Sequence, residues 1–335
     1  MEAAEQNNIP QAVQAPKHRQ RIDWLWELVL LWVMIAAAYF RFSGLLWGDF
    51  QYLHPDERFF VWVTADMSPV KSLAEYFNTA VSTLNPHNVG HGFFVYGTLP
   101  VIAARYIVDW VYQTATWEHV LIVGRTLAAS MDLITVLLVF LIGERLFNRK
   151  VGVLAAAFSS VAVMQIQQAH FFTSDSFATT FSVLAVYFAV CLSQTHLRID
   201  RQDSRWWWLR ERFFHYSLAF GAAVGVAMAC KINTAPVAFL LPAAIGVHYL
   251  HADQETRRSW LKGALYFLVG GGAVALLVFR ILQPYAFSGP GFFGLTPNPL
   301  WISNLKELAA QSSGDVDMPP ALQWAHRSIT FSFQN

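Results

Sequence analysis

The sequence predicts an all-α protein that crosses a membrane several times. Hydrophobic residues make up 55% of the chain and charged residues only 13%, whereas about 25% of the residues in a typical soluble domain are charged. The apolar residues also fall into runs of about 20, the length that an α-helix needs to cross a bilayer. The net charge of +1 does not indicate a nucleic-acid partner.

The membrane domain is predicted to follow a short polar tail. Residues 1–22 are polar and end in a basic cluster, which predicts a disordered cytoplasmic tail. The first apolar run, Trp24 to Trp47, continues past Ala36-Ala37-Ala38, and this favours a retained anchor over a cleaved signal peptide. Six more runs complete a predicted domain of seven spans over residues 23–282. They are Val120 to Phe147, Val151 to Ile166, Phe177 to Ser193, Phe214 to Ala229, Thr234 to Leu250 and Trp260 to Leu282.

The distribution of basic residues predicts the topology. Clusters around Arg145, Arg201 and Arg257 are expected on the cytoplasmic side together with the N-terminus. The run from Gly92 to Tyr112 then cannot cross, because a crossing there would put the Arg145 cluster outside. Residues 48–119 are therefore predicted to be one external segment with interfacial helices.

The C-terminal residues 283–335 are rich in Pro, Gly and Asn at their start and predict an external loop. Because no further span follows, we expect either a truncation at Asn335 or a partner chain that supplies more spans. The protein as a whole is predicted to be a multi-pass protein of the plasma membrane.

This topology collects ionisable side chains on the outer face. The Asp56-Glu57 pair follows the first span, His170 and Asp175 lie in a short external turn, and Lys231 lies at the end of another span. A charged group next to hydrocarbon is costly unless it is paired or used. The sequence therefore predicts a functional site on the outer face.

The order of these residues resembles the N-terminal catalytic part of the GT-C membrane glycosyltransferases, in particular protein O-mannosyltransferases and aminoarabinose transferases. The likeness covers roughly residues 24–285. It rests on His54-Pro55-Asp56-Glu57, Arg125, Gly143 to Phe147, the small-residue run Gly152 to Ala157, Gln168 to Asp175, and Lys231. It implies a GT-C-like helix bundle that moves a sugar from a polyprenyl-phosphate donor to a protein, lipid or glycan acceptor.

The chemistry of such a transfer suggests roles for these residues. A lipid phosphate leaves without acid catalysis, but the attacking hydroxyl needs a base, and Asp56 is the candidate. A single base implies inversion without a covalent intermediate. Glu57 would bind a sugar hydroxyl or orient the acceptor. The resemblance favours Lys231 and Arg125 as ligands of the donor phosphate, and Arg58 is a further cation on the same face.

A metal site is an open alternative. His54, His170 and Asp175 are predicted to contact substrate or, with Glu57, to hold a divalent ion, since hard and borderline cations accept such ligands. Their spacing is not that of a compact metal motif. The simpler alternative is that Asp175 caps the helix that starts near Phe177 and His170 satisfies a backbone carbonyl.

Three charged residues inside the predicted spans have structural interpretations. Asp132 lies seven residues after Arg125 and is predicted to pair with it. Arg41 and Arg280 are predicted to extend toward the interface.

Two other functions stay open at this point, a non-catalytic subunit of a membrane assembly and a transporter. A transporter predicts ionisable groups near the middle of the membrane, whereas here nearly all of them collect at one face. The chain has no glycine-rich phosphate loop, so a nucleotide-sugar enzyme is unsupported.

Overall fold

A computed structural model describes residues 17–195, 207–251, 254–313 and 315. Residues 1–16 of the predicted tail and residues 316–335 of the predicted external loop lie outside this described part. It is helical, as the sequence predicts, and has no named strand. Its α-helices are α1 Lys17–Phe42, α2 Pro55–Asp66, α3 Leu73–Tyr76, α4 Leu99–Tyr112, α5 Trp117–Leu146, α6 Arg149–Ser160, α7 Val163–Ala169, α8 Ser174–Ser193, α9 Arg212–Cys230, α10 Leu240–His251, α11 Gln254–Leu282 and α12 Pro299–Ser313.

Six segments of the described chain are long and apolar enough to cross a membrane. They are Trp24–Phe42, Trp117–Leu146, Ser174–Ser193, Arg212–Cys230, Ile232–Leu250 and Gly263–Leu282. Where the sequence predicts a further span at Val151 to Ile166, the structure has α6 and α7, two helices bent by 61°. Counted as one broken span, this pair is the seventh.

The first span differs from its predicted boundaries at both ends. The helix begins at Lys17, inside the predicted tail, and ends at Phe42 rather than at Trp47. The early end follows from the backbone, because Gly44 and Gly48 adopt positive φ angles of 70° and 81°, which glycine adopts readily and which cannot continue a right-handed helix. The polar loop before α2 is therefore longer than predicted.

Arg41 holds the break between α6 and α7. Its side chain is fully buried and donates to the carbonyl oxygens of Ser160 at 3.0 Å and Ser159 at 3.2 Å, groups that the end of α6 leaves without helical partners. Its Nε atom donates to Asp132 at 2.6 Å. Two predictions are thus wrong: Asp132 pairs with Arg41 and not with Arg125, and Arg41 does not extend toward the interface.

The predicted external segment contains three short helices, α2, α3 and α4. The longest of them, α4, has 14 residues and spans about 21 Å, less than the ~30 Å hydrocarbon core of a bilayer. Its Arg105 is buried and donates to the carbonyl oxygen of Met67 at 2.6 Å. Asp109 lies 3.6 Å from the Arg105 guanidinium. Of the two charges that interrupt this apolar run, Arg105 is therefore held within the protein, whereas Asp109 stays exposed.

The segment after α11 packs on the first external segment. The Gln283 side chain accepts hydrogen bonds from the backbone N–H and the hydroxyl of Thr98, both at 2.6 Å. Asn304 on α12 accepts from the backbone N–H of Phe94 at 3.1 Å. Arg280, predicted to extend toward the interface, is instead buried and donates to backbone carbonyls, including that of Gly291. The start of the predicted loop is thus ordered against residues 94–98.

Glycines allow close packing of the spans. A Cβ atom on Gly221 of α9 would overlap the carbonyl oxygen of Gly271 on α11, and one on Gly143 of α5 would lie 2.9 Å from the Cα atom of Gly152 on α6. Small residues at such crossings let helix backbones approach closely in a membrane.

Replacing Gly221 by alanine should separate α9 from α11. Because the added methyl group has no space, we expect the free energy of unfolding to fall by about 1–3 kcal/mol. Thermal unfolding in detergent would measure this. Gly272→Ala is the matched control, since a Cβ atom at Gly272 meets nothing within 4 Å. Equal unfolding temperatures for the two variants would contradict the close contact.

Candidate functional site

A buried ion pair between Glu57 and Arg125 lies beneath the site. Arg125 donates from Nε to Glu57 Oε1 at 2.8 Å and from Nη2 to Oε2 at 2.7 Å. Glu57 is 0% exposed and Arg125 is 2% exposed. Glu57 Oε1 also accepts from the backbone N–H of Phe172 at 2.8 Å, and Arg125 Nη1 donates to the carbonyl oxygens of Leu45 and Trp47. The sequence predicts separate substrate roles for these two residues, but the structure pairs them with each other.

His54 begins the helix that carries the acidic pair. It is the N-cap of α2, and its Nδ1 atom accepts from the backbone N–H of Glu57 at 3.4 Å. Pro55 occupies the first helical turn, where its missing N–H costs nothing. The His54 ring packs on Phe171, with centroids 4.4 Å apart. His54 therefore fixes the helix start, while its sequence-predicted contact with substrate stays a prediction.

Asp56 lies in the first turn of α2 and is half-buried. The positive end of the helix dipole favours a carboxylate at this position. The phenol of Tyr96 lies near the carboxylates of Asp56 and Asp175, and both act on it electrostatically. Burial, followed by the effect of Asp56, raises the pKa of Tyr96 above its usual value, so the phenol stays neutral near pH 7 and can donate to the carboxylate.

Asp175 and Lys231 form an ion pair near Tyr96. Lys231 Nζ lies 2.7 Å from Asp175 Oδ1, and the two side chains keep 30% and 42% of their surface exposed. Asp175 is in the first turn of α8, and the hydroxyl of Thr173 accepts from its backbone N–H at 3.4 Å. The capping residue is thus Thr173, not Asp175 as in the simpler alternative. Lys231 directly follows α9.

Tyr96 and Gly97 connect the segment before α4 to the end of α9. The backbone N–H of Gly97 donates to the carbonyl oxygen of Cys230 at 3.0 Å, and a Cβ atom on Gly97 would overlap the backbone of Ala229. Tyr96 is therefore held next to the end of α9. Sequence analysis missed Tyr96, although the Gly-aromatic-Pro stretch around it is unusual at the start of an apolar run.

The predicted metal ligands do not form a cluster. Both ring nitrogens of His170 lie at backbone carbonyls, 2.7 Å from Ile166 and 2.9 Å from Ser43. The oxygens of Glu57 are taken by Arg125 and Phe172. In the part of the chain that the structure describes, no group of three or more His, Cys, Asp or Glu side chains is placed to hold a metal ion. The donor set therefore does not fit a resident metal.

Arg58 faces away from the other predicted phosphate ligands. Two residues along a helix correspond to about 200° around its axis, so Arg58 and Asp56 lie on opposite sides of α2. Arg58 is exposed and lines a separate groove of about 490 Å³. The structure thus brings together Asp56, Tyr96, Asp175 and Lys231, and leaves Arg58 apart from them.

A family model matches the middle of the chain. A model of the family described as dolichyl-phosphate-mannose-protein mannosyltransferase matches residues 107–282, more than half of the 335-residue chain. The chain belongs to this glycosyltransferase family. The matched region contains Asp175 and Lys231, whereas Asp56 and Tyr96 precede it. No curated protein matches the chain in sequence.

The fold is that of solved oligosaccharyltransferase structures from Archaeoglobus fulgidus. One, tethered to an acceptor peptide with an NVT sequon, has a TM-score of 0.57 and 15% identity over 85% of this chain and 33% of that one. A second, AglB with an inhibitory peptide and dolichol-phosphate, has a TM-score of 0.56 and 17% identity, and the match covers 86% of this chain and 33% of that one. A third, in complex with Zn and sulfate, has a TM-score of 0.52 and 15% identity, and the match covers 84% of this chain and 35% of that one. The chain thus spans about a third of the protein it resembles.

Breaking the buried pair should destabilise the protein strongly. Glu57→Gln leaves the Arg125 charge buried without its partner, so we expect a loss of about 3–5 kcal/mol in the free energy of unfolding. Glu307→Gln, on an exposed position of α12, is the control and should change little. Thermal unfolding in detergent compares the two.

The double variant Glu57→Leu/Arg125→Met removes both charges and should recover part of the loss. If Glu57→Gln is as stable as the control, the pair does not hold the site together.

Proposed function

We propose that this chain carries the catalytic centre of a membrane glycosyltransferase. It transfers a sugar from a polyprenyl-phosphate lipid to an acceptor on the outer membrane face. The observation that carries the proposal is the meeting of Asp56, Tyr96, Asp175 and Lys231, which come from four separate segments. A base and a phosphate-binding cation side by side are what this reaction requires of a protein.

Asp56 is the general base of the proposed reaction. The acceptor hydroxyl gives its proton to the Asp56 carboxylate as its oxygen bonds to the anomeric carbon of the sugar. The bond from that carbon to the phosphate oxygen breaks, and its electron pair leaves with the lipid phosphate. Attack from the face opposite the phosphate inverts the anomeric centre, and no covalent glycosyl-enzyme forms.

Lys231 is the proposed cation for the donor phosphate. Its side chain is 30% exposed, so a phosphate can approach Nζ while Asp175 holds it from the other side. Arg125, predicted to share this role, is 2% exposed and satisfied by Glu57 and backbone carbonyls. We assign Glu57 and Arg125 a positioning role instead, because they fix the segments on which Asp56 and Asp175 lie.

The sidedness of the site rests on the distribution of basic residues. The N-terminus, Arg145 and Arg257 belong on the cytoplasmic side by the positive-inside rule, which puts Asp56 and Lys231 on the outer side. Residues 48–119 then form the proposed external segment, with α2 and α4 lying along the membrane interface. The plasma membrane is the proposed location.

The acceptor is proposed to be a protein. The matching family is described as a protein mannosyltransferase, and a structural neighbour holds an acceptor peptide. Another neighbour holds dolichol-phosphate, in line with a polyprenyl-phosphate donor here. Lipid and glycan acceptors are the alternatives, and an assay that offers all three separates them.

A divalent ion is not part of the proposed mechanism. One structural neighbour contains Zn, but His170 and Glu57, predicted here as ligands, are engaged with backbone and Arg125. Among the described residues of the site, Asp56 and Asp175 are the carboxylates that the Glu57–Arg125 pair leaves accessible. Each step above is therefore assigned to the side chains of this chain.

Asp56→Asn should abolish transfer with little effect on folding. The amide cannot accept the proton, so we expect the rate to fall by about 10²–10⁴-fold. The assay is transfer of radiolabelled sugar from a polyprenyl-phosphate donor by protein reconstituted in liposomes. Asp109→Asn, an exposed carboxylate on α4, is the matched control and should keep the wild-type rate.

Equal transfer by both variants would overturn the base assignment. Transport of a solute without any transfer would support the transporter alternative. Transfer that requires a second protein, and that survives Asp56→Asn in this chain, would make the chain a non-catalytic subunit. A partner chain that supplies further spans stays a prediction.

Substitution of Lys231 should weaken donor binding. Loss of a charge-assisted contact with phosphate is worth about 1.5–3 kcal/mol, so Lys231→Met should raise KM for the donor at least about tenfold. Lys231→Arg keeps the charge and should retain part of the affinity. Lys306→Met, at an exposed position of α12, is the control. A KM unchanged by Lys231→Met would remove Lys231 from the site.

A further inference from the structure

The outer surface of α2 forms a groove with the start of α5. It has a volume of about 490 Å³ and is lined by Pro55, Arg58, Phe59, Trp62 and Trp117. Trp62 is 49% exposed and Trp117 is 36% exposed, so both rings face outward. The Trp117 ring is held edge-on by Tyr52, with centroids 5.2 Å apart. The groove therefore has aromatic walls, at least one of them fixed by packing.

Among the described residues that line this groove, Arg58 supplies the only charge. Its side chain is exposed and has no ion-pair partner among the described residues. Glu118, beside Trp117 in the sequence, is exposed as well and makes no such pair. An unpaired guanidinium between aromatic rings can hold a phosphate through two parallel hydrogen bonds. The groove is thus complementary to an anionic group attached to an apolar body.

One wall of the groove lies at the first residue of a candidate membrane span. Trp117 is the first residue of a candidate membrane span, Trp117–Leu146, and one wall of the groove therefore stands where that span meets water. Tryptophan is enriched at this level because its ring is apolar and its N–H is polar. A lipid next to the protein would bring its phosphate to this depth.

The groove is separate from the proposed catalytic centre. Arg58 and Asp56 lie about 200° apart around α2, and the fully buried Glu57 lies between them in the sequence. A phosphate bound at Arg58 would therefore be on the far side of the helix from the proposed base. A sugar donor held there could not present its anomeric carbon to a hydroxyl activated by Asp56.

We propose that this groove binds an anionic phospholipid of the surrounding membrane. The guanidinium of Arg58 holds the phosphate, and the Trp62 and Trp117 rings contact the apolar part below it. The lipid would hold α2 at the membrane interface and so keep the opposite face of the helix turned toward the catalytic centre. The proposal does not depend on the proposed transfer reaction.

Native mass spectrometry of the full chain in detergent tests the proposal. The probes are phosphatidylglycerol, phosphatidylcholine, a polyprenyl phosphate and inorganic phosphate. Wild type should bind phosphatidylglycerol more tightly than phosphatidylcholine. Arg58→Gln should weaken phosphatidylglycerol binding about fivefold, the effect of one arginine at an anionic surface, and should leave polyprenyl-phosphate binding unchanged.

Arg212→Gln is the matched control. Arg212 is also an exposed arginine at the start of a span, and its loss should change phosphatidylglycerol binding less than twofold. Because Arg58 is exposed, Arg58→Gln should fold normally, and its unfolding temperature in detergent checks this. Trp62→Ala should also weaken phosphatidylglycerol binding, although it leaves the charge of the groove unchanged.

Three results would overturn the proposal. Equal phosphatidylglycerol binding by wild type and Arg58→Gln would show that the groove does not hold the lipid. An equal loss of polyprenyl-phosphate binding would make the groove the donor site. Displacement of phosphatidylglycerol by an equal concentration of inorganic phosphate would make it a site for free anions.

Discussion

The Glu57–Arg125 pair is the interaction on which the rest of the candidate site depends. Two charges withdrawn from water cost several kcal/mol each unless all their polar atoms find partners. Here Glu57 accepts from Arg125 and from the backbone of Phe172, while Arg125 also donates to the carbonyls of Leu45 and Trp47. The pair therefore joins α2 and α5 to the loops before α2 and before α8.

The position of this pair determines where the half-buried carboxylates of Asp56 and Asp175 lie. Asp56 precedes Glu57 in the first turn of α2, and Asp175 follows Phe172 by three residues in the first turn of α8. Each carboxylate thus lies at the positive end of a helix dipole. Tyr96, before α4, and Lys231, at the end of α9, are the other two residues of the candidate site. The buried Glu57–Arg125 pair thus holds the carboxylates of Asp56 and Asp175 in fixed positions, as positioned catalysis requires.

Sequence reasoning predicted the parts of the site that follow from topology. The helical fold and most span positions follow from the apolar runs, and the prediction that Asp175 and Lys231 share one face follows from counting crossings. The choice of partners could not be predicted, because Arg41 and Arg125 lie at equally plausible positions for Asp132. Which side of α2 carries Arg58 depends on where the helix starts.

Buried arginines, three of them at breaks or loops next to candidate spans, explain how irregular segments keep a defined shape. Arg41 donates to carbonyls at the α6 break, Arg125 to those of the loop after α1, and Arg280 to those of the loop after α11. Irregular backbone at membrane depth is tolerated only where the protein satisfies its polar groups. A sequence does not reveal whether an arginine at a span end will meet a substrate phosphate or a backbone carbonyl. Of the three cations predicted to bind the donor phosphate, Arg125 is enclosed by its partners, whereas Lys231 and Arg58 stay accessible. Of these two, Lys231 is the one that pairs with Asp175.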